Sequence, residues 1–316
     1  MTPGALLYLD LLMMGLMLVL AVGALYARSL RHAVILFIVF GLVVALVWAR
    51  LRAPDIALAE AAIGSGLAGA LLLAALRDRR RGAESAPRSP AWQVVAVGAV
   101  VAGLVLLLAW AFLDLQGERA NGPLADTVRA NLDVSGVSNP VTAVLLNFRA
   151  YDTLLELTVL LAALLGVMSL GPQRPPMDAA EPMAAGLIGW LIPLLIVAGS
   201  YLLWVGAHAP GGAFQAGALL AAAAVLADLG GRREFRLPGQ TWLRLLAVAG
   251  CVVFTLVGLA ALIGSGVLLQ LPPDWAGSLI LLIELFATAS IASALFLVYL
   301  GGHPPSWDAR EDHPDA

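Results

Sequence analysis

The segment "GLIGWLIPLLIVAGSYLLWVGAHAPGGAFQAGALLAAAAVLADL" (residues 186–229) contains two long apolar runs with a short break between them. About 20 consecutive apolar residues are enough for a helix to cross the hydrocarbon core of a membrane. The break contains Pro210, which stops a helix, and Gly211 and Gly212, which permit turn conformations. The segment therefore predicts two membrane-crossing helices joined by a tight turn, with the polar Gln215 just inside the second helix.

The rest of the chain repeats this pattern. Of its 316 residues 61% are hydrophobic and only 12% are charged, with a mean hydropathy of +0.91, whereas a soluble domain has about 25% charged residues. Apolar runs of sufficient length fall at 5–27, 31–50, 56–76, 92–113, 150–170, 186–206, 212–229, 241–263 and 277–300. We predict an all-α polytopic membrane protein with about nine transmembrane helices, because a β-barrel would show alternating ten-residue segments instead.

The arginines predict the orientation of these helices. With the N-terminus outside, 13 of the 18 arginines lie on the inner face and 5 on the outer face. Basic residues are enriched on the cytoplasmic side of membrane proteins. The N-terminus is therefore predicted outside and the C-terminus in the cytoplasm.

Two polar stretches divide the chain into three blocks of helices. A charged linker is predicted at 77–91, with the sequence "RDRRRGAESAPRSP" at 77–90, and a proline-rich linker at 171–185. Such composition is typical of seams between units. The blocks are a three-helix unit at 1–76, a two-helix unit at 92–170 with a long outer segment at 114–149, and a four-helix unit at 186–301, followed by a polar tail at 302–316.

Four acidic residues lie inside the predicted helices, where a carboxylate costs about 2.5–3.5 kcal/mol on insertion scales. They are Asp10, Glu60, Glu156 and Glu284. At about 1.5 Å per residue, the three glutamates lie roughly 8, 9 and 10 Å into their predicted helices. All four helices enter from the outer face, so the acids share the outer half of the bilayer. One interpretation is a hydrated ion or proton path; the other is that each acid holds a neighbouring helix in register.

Further polar residues flank these acids. In "NFRAYDTLLE" (147–156), Asp152 and Glu156 lie on one helical face and Arg149 is placed to pair with Asp152. Asp55 follows Pro54 in the first turn of the third helix, which predicts a helix-capping residue. Glu60 points about 140° away from Asp55, at 100° per residue. Asp228, next to a glycine pair at the inner end of its helix, is expected at a solvated terminus.

The chain shows no sequence pattern for covalent or redox chemistry. It contains no Walker loop, no dinucleotide fingerprint, no cysteine cluster and no nucleophile–base arrangement. We therefore expect no cofactor, no metal site, no nucleic-acid partner and no enzymatic activity. All its basic residues are arginines, so a transport mechanism that needs a buried lysine has to take it from another chain.

Four stretches resemble a known family of membrane subunits. "APDIALAEAAIGSGL" (53–67) resembles the third helix of subunits related to the ND6-type subunit of respiratory complex I, and "NPVTAVLLNFRAYDTLLELTVLLAALLGV" (139–167) resembles the next part of the large A-type protein of Mrp antiporters. "GAHAPGGAFQAGALLAAA" (206–223) resembles the glycine-rich signature of the Mrp B-type protein, and "LIELFATASIASALFLVY" (282–299) its last helix. Their order is similar to the D-, E- and F-type subunits of membrane-bound hydrogenase antiporter modules, here fused in one chain.

The resemblance implies an accessory, channel-lining subunit of an Mrp-type sodium/proton antiporter or a hydrogenase-related complex in a prokaryotic cell membrane. It implies Glu60, Asp152, Glu156, Glu284 and Gln215 as residues of the ion or proton path, with Na⁺ and H⁺ as the transported ions. Arg149, Asp10, Asp55 and His208 are predicted as supporting residues. The partners implied are large antiporter-like subunits, small C-, E-, F- and G-type subunits and, beyond them, a hydrogenase or another energy-coupling module.

The sequence departs from the family pattern at several positions. Asn147 replaces the usual aspartate before Phe148, Ala213 and Ala216 replace signature glycines, and Phe286 follows Glu284 where the family prefers glycine. His208 stands one position later than the family histidine. Two other functions stay open. The first is an assembly scaffold that joins antiporter subunits without carrying ions, and the second is a self-sufficient transporter, against which no inverted repeat is found.

Overall fold

A computed structural model of the chain describes residues 3–79, 91–117, 123–170, 182–230 and 240–302, and every long element in these ranges is helical. The predicted linker cores at 80–90 and 171–181 and the tail at 303–316 lie outside the described residues. The helices are α1 (Pro3–Leu25), α2 (Leu30–Arg50), α3 (Pro54–Ala59), π1 (Glu60–Leu67), α4 (Ala68–Arg79), α5 (Ala91–Gly117), α6 (Pro123–Ala130), α7 (Pro140–Ala143), π2 (Val144–Phe148), α8 (Ala150–Ser169), α9 (Pro182–Val205), α10 (Ala213–Leu229), α11 (Gln240–Ser265) and α12 (Pro273–Tyr299).

The all-helical prediction is confirmed. Seven helices of the described residues are long and apolar enough to cross a membrane, and 95–111 and 213–229 form two shorter apolar helices. These nine coincide with the nine predicted runs, while the span count and the orientation stay predictions. A multi-pass membrane protein satisfies its backbone groups inside its own helices, because lipid offers them no partner.

Proline and hydroxyl side chains explain several local features of these helices. Pro54, Pro140 and Pro273 occupy first turns, where the missing N–H costs no helical hydrogen bond. α9 also begins at a proline, Pro182, four residues before the predicted start at 186. Inside the helices, hydroxyl groups donate to the carbonyl four residues earlier, as Thr288 does to Glu284 at 2.7 Å.

The predicted outer segment at 114–149 is more helical than the sequence indicated. α5 continues to Gly117, and the segment then contains α6, a 3₁₀ turn at Leu132–Val134, α7 and π2. Within 139–150, α7 and π2 follow each other directly and end at Phe148. The high polarity of 114–138 concealed α6, whose apolar and polar residues segregate to opposite faces.

The helices pack into two bodies that meet at α10. α11 packs on α12, and α10 packs on both α9 and α12; α8 lies against α11 and α12. The first helical body contains α1, α2, α3, π1 and α4: α1 packs on α2, and α2 packs on α3, π1 and α4. α10 also contacts π1 and so connects the two bodies. The best-buried core lies along α12, where Ile280 and Leu297 are 0% exposed.

Small residues permit this close packing. The ideal β-carbon of Gly217 on α10 would lie 2.7 Å from Cγ2 of Ile291 on α12, and that of Gly250 on α11 would lie 2.7 Å from Cβ of Ser290. The small-residue stretch "GSGLAGA" (64–70) also packs closely on α2, because the ideal β-carbon of Gly69 would lie 2.6 Å from Cγ1 of Ile38. Asp228 is 8% exposed, so the expectation of a solvated terminus was wrong; the packing of α10 against its neighbours buries it.

Candidate functional site

Glu284 lies in the middle of α12 and is the most deeply buried acid among the described residues. Its relative exposure is 2%, and its Oε2 atom has no hydrogen-bond partner. The carboxyl group faces the turn before α10, where Oε1 lies 3.3 Å from the ideal β-carbon position of Gly212. Burial of a carboxyl group without a partner is costly, so this position requires an explanation beyond packing.

Gln215 lies in the first turn of α10, on the same side of that helix as the Glu284 carboxyl. It is 7% exposed, and its Nε2 donates to the backbone oxygen of Asp55 at 3.0 Å. Its Oε1 lies 3.7 Å from the ideal β-carbon position of Gly212. Gln215 therefore connects the first helical body to the vicinity of Glu284.

Asp55 lies at the start of α3 and contacts α10 rather than capping its own helix. Its Oδ1 accepts a hydrogen bond from the backbone N–H of Gly211 at 3.2 Å and one from Nδ2 of Asn139 at 3.5 Å. The N-cap position of α3 is Ala53, which has no side-chain capping bond. The prediction that Asp55 caps its own helix was therefore wrong, because its carboxylate binds the backbone of the turn before α10 instead.

Asn139 and Thr142 hold the outer segment against the same turn. Nδ2 of Asn139 donates to the carbonyl oxygens of Gly206 at 3.2 Å and Ala209 at 3.0 Å, and Oγ1 of Thr142 donates to Gly206 at 2.6 Å. We call the side chains of Asp55, Asn139, Thr142 and Gln215, with the backbone of residues 206–211, the outer polar cluster. Sequence reasoning missed Asn139 and Thr142; their only local signal is Asn139 before Pro140, which is typical of a helix N-cap.

The turn at 206–212 has the geometry that its composition predicts. α9 ends at Val205 and α10 begins at Ala213, as expected from Pro210 and the two glycines. Gly212 has a φ of +117°, a backbone conformation that residues other than glycine rarely adopt. Its backbone N–H donates to Leu202 at 2.9 Å, which closes the turn onto α9.

Glu60 points in a different direction from the outer polar cluster. It is half-buried, begins π1 and packs its carboxyl group against Gly64 of the same helix. Its Oε1 also lies 3.4 Å from the ideal β-carbon position of Gly41 on α2. The predicted angular separation from Asp55 agrees with this geometry: Asp55 contacts the turn before α10, whereas Glu60 faces α2.

Asp152 and Glu156 lie on α8, apart from Glu284. Arg149 and Asp152 form an ion pair with Nη2 and Oδ2 separated by 2.5 Å, so the predicted pair is confirmed. Glu156 is exposed on the surface that the described chain presents. The two acids of this helix therefore face outward, while Glu284 faces the interior.

Two supporting residues lie at the periphery. Asp10 forms an ion pair with Arg50 of α2, with Oδ1 and Nε separated by 3.0 Å and Oδ2 and Nη2 by 3.1 Å. His208 is exposed, and its Nδ1 is within 3.1 Å of Oγ of Ser138. Neither of these contacts includes Gln215 or Glu284. Over the described ranges, no group of three or more His, Cys, Asp and Glu side chains has the arrangement of a metal site.

Two parts of the chain match protein-family models. Residues 15–81 match MbhD, the D subunit of the membrane-bound hydrogenase (MBH) family. Residues 183–302 match the domain related to the MnhB subunit of the Na⁺/H⁺ antiporter. The chain joins an MbhD-type segment to an MnhB-type segment. This confirms the resemblance at both ends of the chain.

A bacterial antiporter protein extends the match. The chain is 28% identical over 162 residues to the A-type subunit of the Na⁺/H⁺ antiporter of Bacillus subtilis (strain 168), across 51% of this chain and 20% of that protein. It thus spans about a fifth of the length of that relative.

Two solved structures have a similar fold. The Mrp complex from Dietzia sp. DQ12-45-1b matches 94% of this chain and 35% of its own chain with a TM-score of 0.71 and 23% identity. The membrane-bound sulfane sulfur reductase, an archaeal respiratory membrane complex, matches 68% of this chain and 99% of its own chain with a TM-score of 0.54 and 20% identity. The chain is a multi-pass prokaryotic membrane protein whose fold is similar to the matched parts of these two structures.

The candidate residues divide among the matched segments. Asp55 and Glu60 belong to the MbhD-type segment, and Gln215 and Glu284 to the MnhB-type segment. The residues between 82 and 182, which include Asn139, Asp152 and Glu156, fall between the two matches. The outer polar cluster therefore joins both matched segments and the region between them.

Proposed function

We propose that this chain is an accessory, channel-lining subunit of a multisubunit cation/proton antiporter or a related energy-converting complex. Its partners are the large antiporter-like subunits and the small membrane subunits of such a complex, and the transported ions are Na⁺ and H⁺. Support comes from the two family segments in one chain and from the relative named as part of a Na⁺/H⁺ antiporter. No catalytic or cofactor role is proposed.

Within that complex we assign the ion or proton path to Glu60, Asp152, Glu156, Glu284 and Gln215. The observation that carries this assignment is the Glu284 carboxyl group, which is 2% exposed and has an oxygen without a hydrogen-bond partner. A membrane protein rarely keeps such a group unless it serves transport or proton transfer. Glu60 supplies a further carboxyl group that faces α2, and Glu156 supplies one that faces outward.

The proposal is tested in membrane vesicles that contain the assembled complex. Replacing Glu60, Glu156 and Glu284 together by glutamine is expected to lower Na⁺-driven proton exchange at least about tenfold, which corresponds to about 1.4 kcal/mol of barrier. The matched control is Asp126→Asn, which removes a carboxylate that is 79% exposed in a surface ion pair. Unchanged exchange in the triple variant, at normal amounts of complex, places the path elsewhere.

An assembly role is the second candidate, and the outer polar cluster favours it. Asp55, Asn139 and Gln215 connect three regions of one chain through direct hydrogen bonds. A scaffold of this kind holds antiporter subunits and a partner module together without carrying ions. In that case the glutamine variants lower the amount of complex on native gels, and the complex that does form exchanges Na⁺ for protons at the normal rate.

A further inference from the structure

The turn before α10 leaves a small space that two oxygen atoms border. Gly212 has no side chain, and a β-carbon at this position would lie 3.3 Å from Oε1 of Glu284 and 3.7 Å from Oε1 of Gln215. These are the two heavy atoms of the described chain, beyond the immediate neighbours of Gly212, within 4 Å of that point. When Glu284 is ionised, both oxygens are hydrogen-bond acceptors, and neither supplies a proton or a positive charge to the other.

The orientation of the Gln215 amide follows from its contact with Asp55. The backbone oxygen of Asp55 is an acceptor, and it lies 3.0 Å from Nε2 of Gln215. Only the NH₂ group of the amide donates, so the network requires the nitrogen on this side. The amide oxygen is then directed towards Gly212 and the Glu284 carboxyl group.

Glu284 has no counter-charge in the part of the chain that the structure describes. None of the ion pairs there includes it, and its Oε2 has no hydrogen-bond partner. Thr288, one turn further along α12, donates its hydroxyl proton to the backbone oxygen of Glu284 and not to the carboxylate. The adjacent N-terminus of α10 favours negative charge but does not neutralise it. A buried carboxyl group in this position needs either a proton or a cation to balance its charge.

We infer that Glu284, Gln215 and the space at Gly212 form a binding site for one small monovalent cation of the Na⁺ class. One carboxylate and one neutral amide oxygen balance a single positive charge. Ca²⁺ and Mg²⁺ fit poorly, because they require more oxygen ligands and usually more carboxylates. The inference deepens the proposed function and rests on it, since it gives the path a discrete site at the junction of the two helical bodies.

Asp55 acts on this site through Gln215. Its backbone oxygen holds the amide nitrogen, and its Oδ1 holds the N–H of Gly211 beside the turn. Asp55 is therefore a positioning residue, and the MbhD-type segment fixes the orientation of a ligand in the MnhB-type segment.

The first experiment measures cation-dependent stability of the purified full-length chain in detergent. Intrinsic tryptophan fluorescence follows thermal unfolding while NaCl replaces choline chloride at constant ionic strength. Saturable Na⁺ binding is expected to raise the unfolding temperature by about 3 °C or more. Glu284→Gln and Gln215→Leu abolish this rise, while the matched control Asp126→Asn, in an exposed ion pair outside the assigned path, retains it. A wild-type unfolding temperature that is the same in Na⁺ and choline, or that follows only pH, overturns the inference.

The second experiment uses the wild-type chain, so it does not depend on whether a variant folds. Dicyclohexylcarbodiimide labels protonated carboxyl groups in apolar surroundings, and peptide mass spectrometry identifies the labelled residue. Na⁺ at saturating concentration is expected to slow labelling of Glu284 at least about tenfold relative to choline, as occupancy of a site excludes the reagent. Labelling of Asp228, which is 8% exposed at the opposite end of α10 from Gln215, is the internal reference and is unaffected by Na⁺. Equal labelling of Glu284 in both salts contradicts a cation site.

The two experiments separate this inference from the proposed function. If exchange by the complex requires Glu284 but Na⁺ neither stabilises the chain nor protects Glu284, the cation site is wrong and the proton path stands. If Na⁺ protects Glu284 but the triple glutamine variant exchanges normally, the site stands and the assigned path is wrong.

Discussion

The MnhB-type bundle and helix α5 are both apolar, yet they differ in how much surface they bury. In α12, 56% of the membrane-crossing window is buried inside the chain. On α5, Val95 is 71% exposed and Leu106 is 70% exposed, and α5 forms no extended contact with another helix in the described residues. Apolar composition therefore predicts membrane insertion in both regions but does not predict which of them builds an internal core.

Small residues at contact positions account for this difference. Gly217 and Gly250 let α10 and α11 approach α12 closely, and the core side chains of α12 fill the space between them. On α5, Gly98 and Gly103 have no heavy atom of another residue within 4 Å of their ideal β-carbons. In lipid, helix association depends on such close packing, because apolar side chains gain little by leaving one apolar medium for another.

The largest predicted effect uses this contrast directly. Gly217→Val places its side chain against Ile291 and the carbonyl oxygen of Thr288, so we expect it to lower the free energy of unfolding by about 3 kcal/mol. The measurement is SDS-induced unfolding in mixed micelles. The matched control Gly103→Val is expected to change that free energy by less than about 0.5 kcal/mol. Equal effects at both positions would show that α5 packs as closely as α10.

A smaller effect is predicted at the outer polar cluster. Asn139→Leu removes two hydrogen bonds donated to Gly206 and Ala209 and one accepted from Val141. The part-buried carbonyl of Ala209 loses this donor, whereas the carbonyl of Gly206 keeps the bond from Thr142. We expect a loss of about 2 kcal/mol in the free energy of unfolding. The control Asn131→Leu removes one exposed bond to Thr127 and is expected to cost about 0.5 kcal/mol.

This second comparison has two informative outcomes. A loss in Asn139→Leu that exceeds the loss in the control confirms that the cluster holds the outer segment against the turn. Equal losses show that the segment is held by its apolar contacts alone, and they remove the support of Asn139 for an assembly role.

The sequence predicts the features of this molecule that depend on local chemistry. Pro210 and the following glycines predicted the turn before α10, and the spacing of Arg149 and Asp152 predicted their ion pair; both agree with the structure. These features depend on conformations and distances within one or two helical turns. Local pattern is sufficient there because the interacting groups are close along the chain.

Features that depend on contacts between distant residues were not predictable in the same way. The hydrogen bond from Asn139 to Ala209 joins residues 70 positions apart, and burial of Asp228 results from helix packing. π1 at Glu60 is a shift in backbone hydrogen bonding, which hydrophobic periodicity does not report. The sequence therefore identified Glu284 and Gln215 as candidates but not Asp55 as the group that orients the Gln215 amide.

The smallest predicted effect concerns the contact between α1 and α2, where an ion pair joins the two helices. Arg50→Gln removes the partner of Asp10 between α1 and α2, a pair whose side chains are 34% and 47% exposed. Because partly exposed ion pairs contribute little, we expect a loss of about 1 kcal/mol in the free energy of unfolding. Arg129→Gln is the control: its pair with Asp126 is 73% and 79% exposed, and its loss is expected to be below about 0.5 kcal/mol. A loss in Arg50→Gln as large as that of Gly217→Val would mean that the N-terminal helices depend on this one pair. In that case charge in the first body would contribute as much stability as small-residue packing does in the MnhB-type bundle.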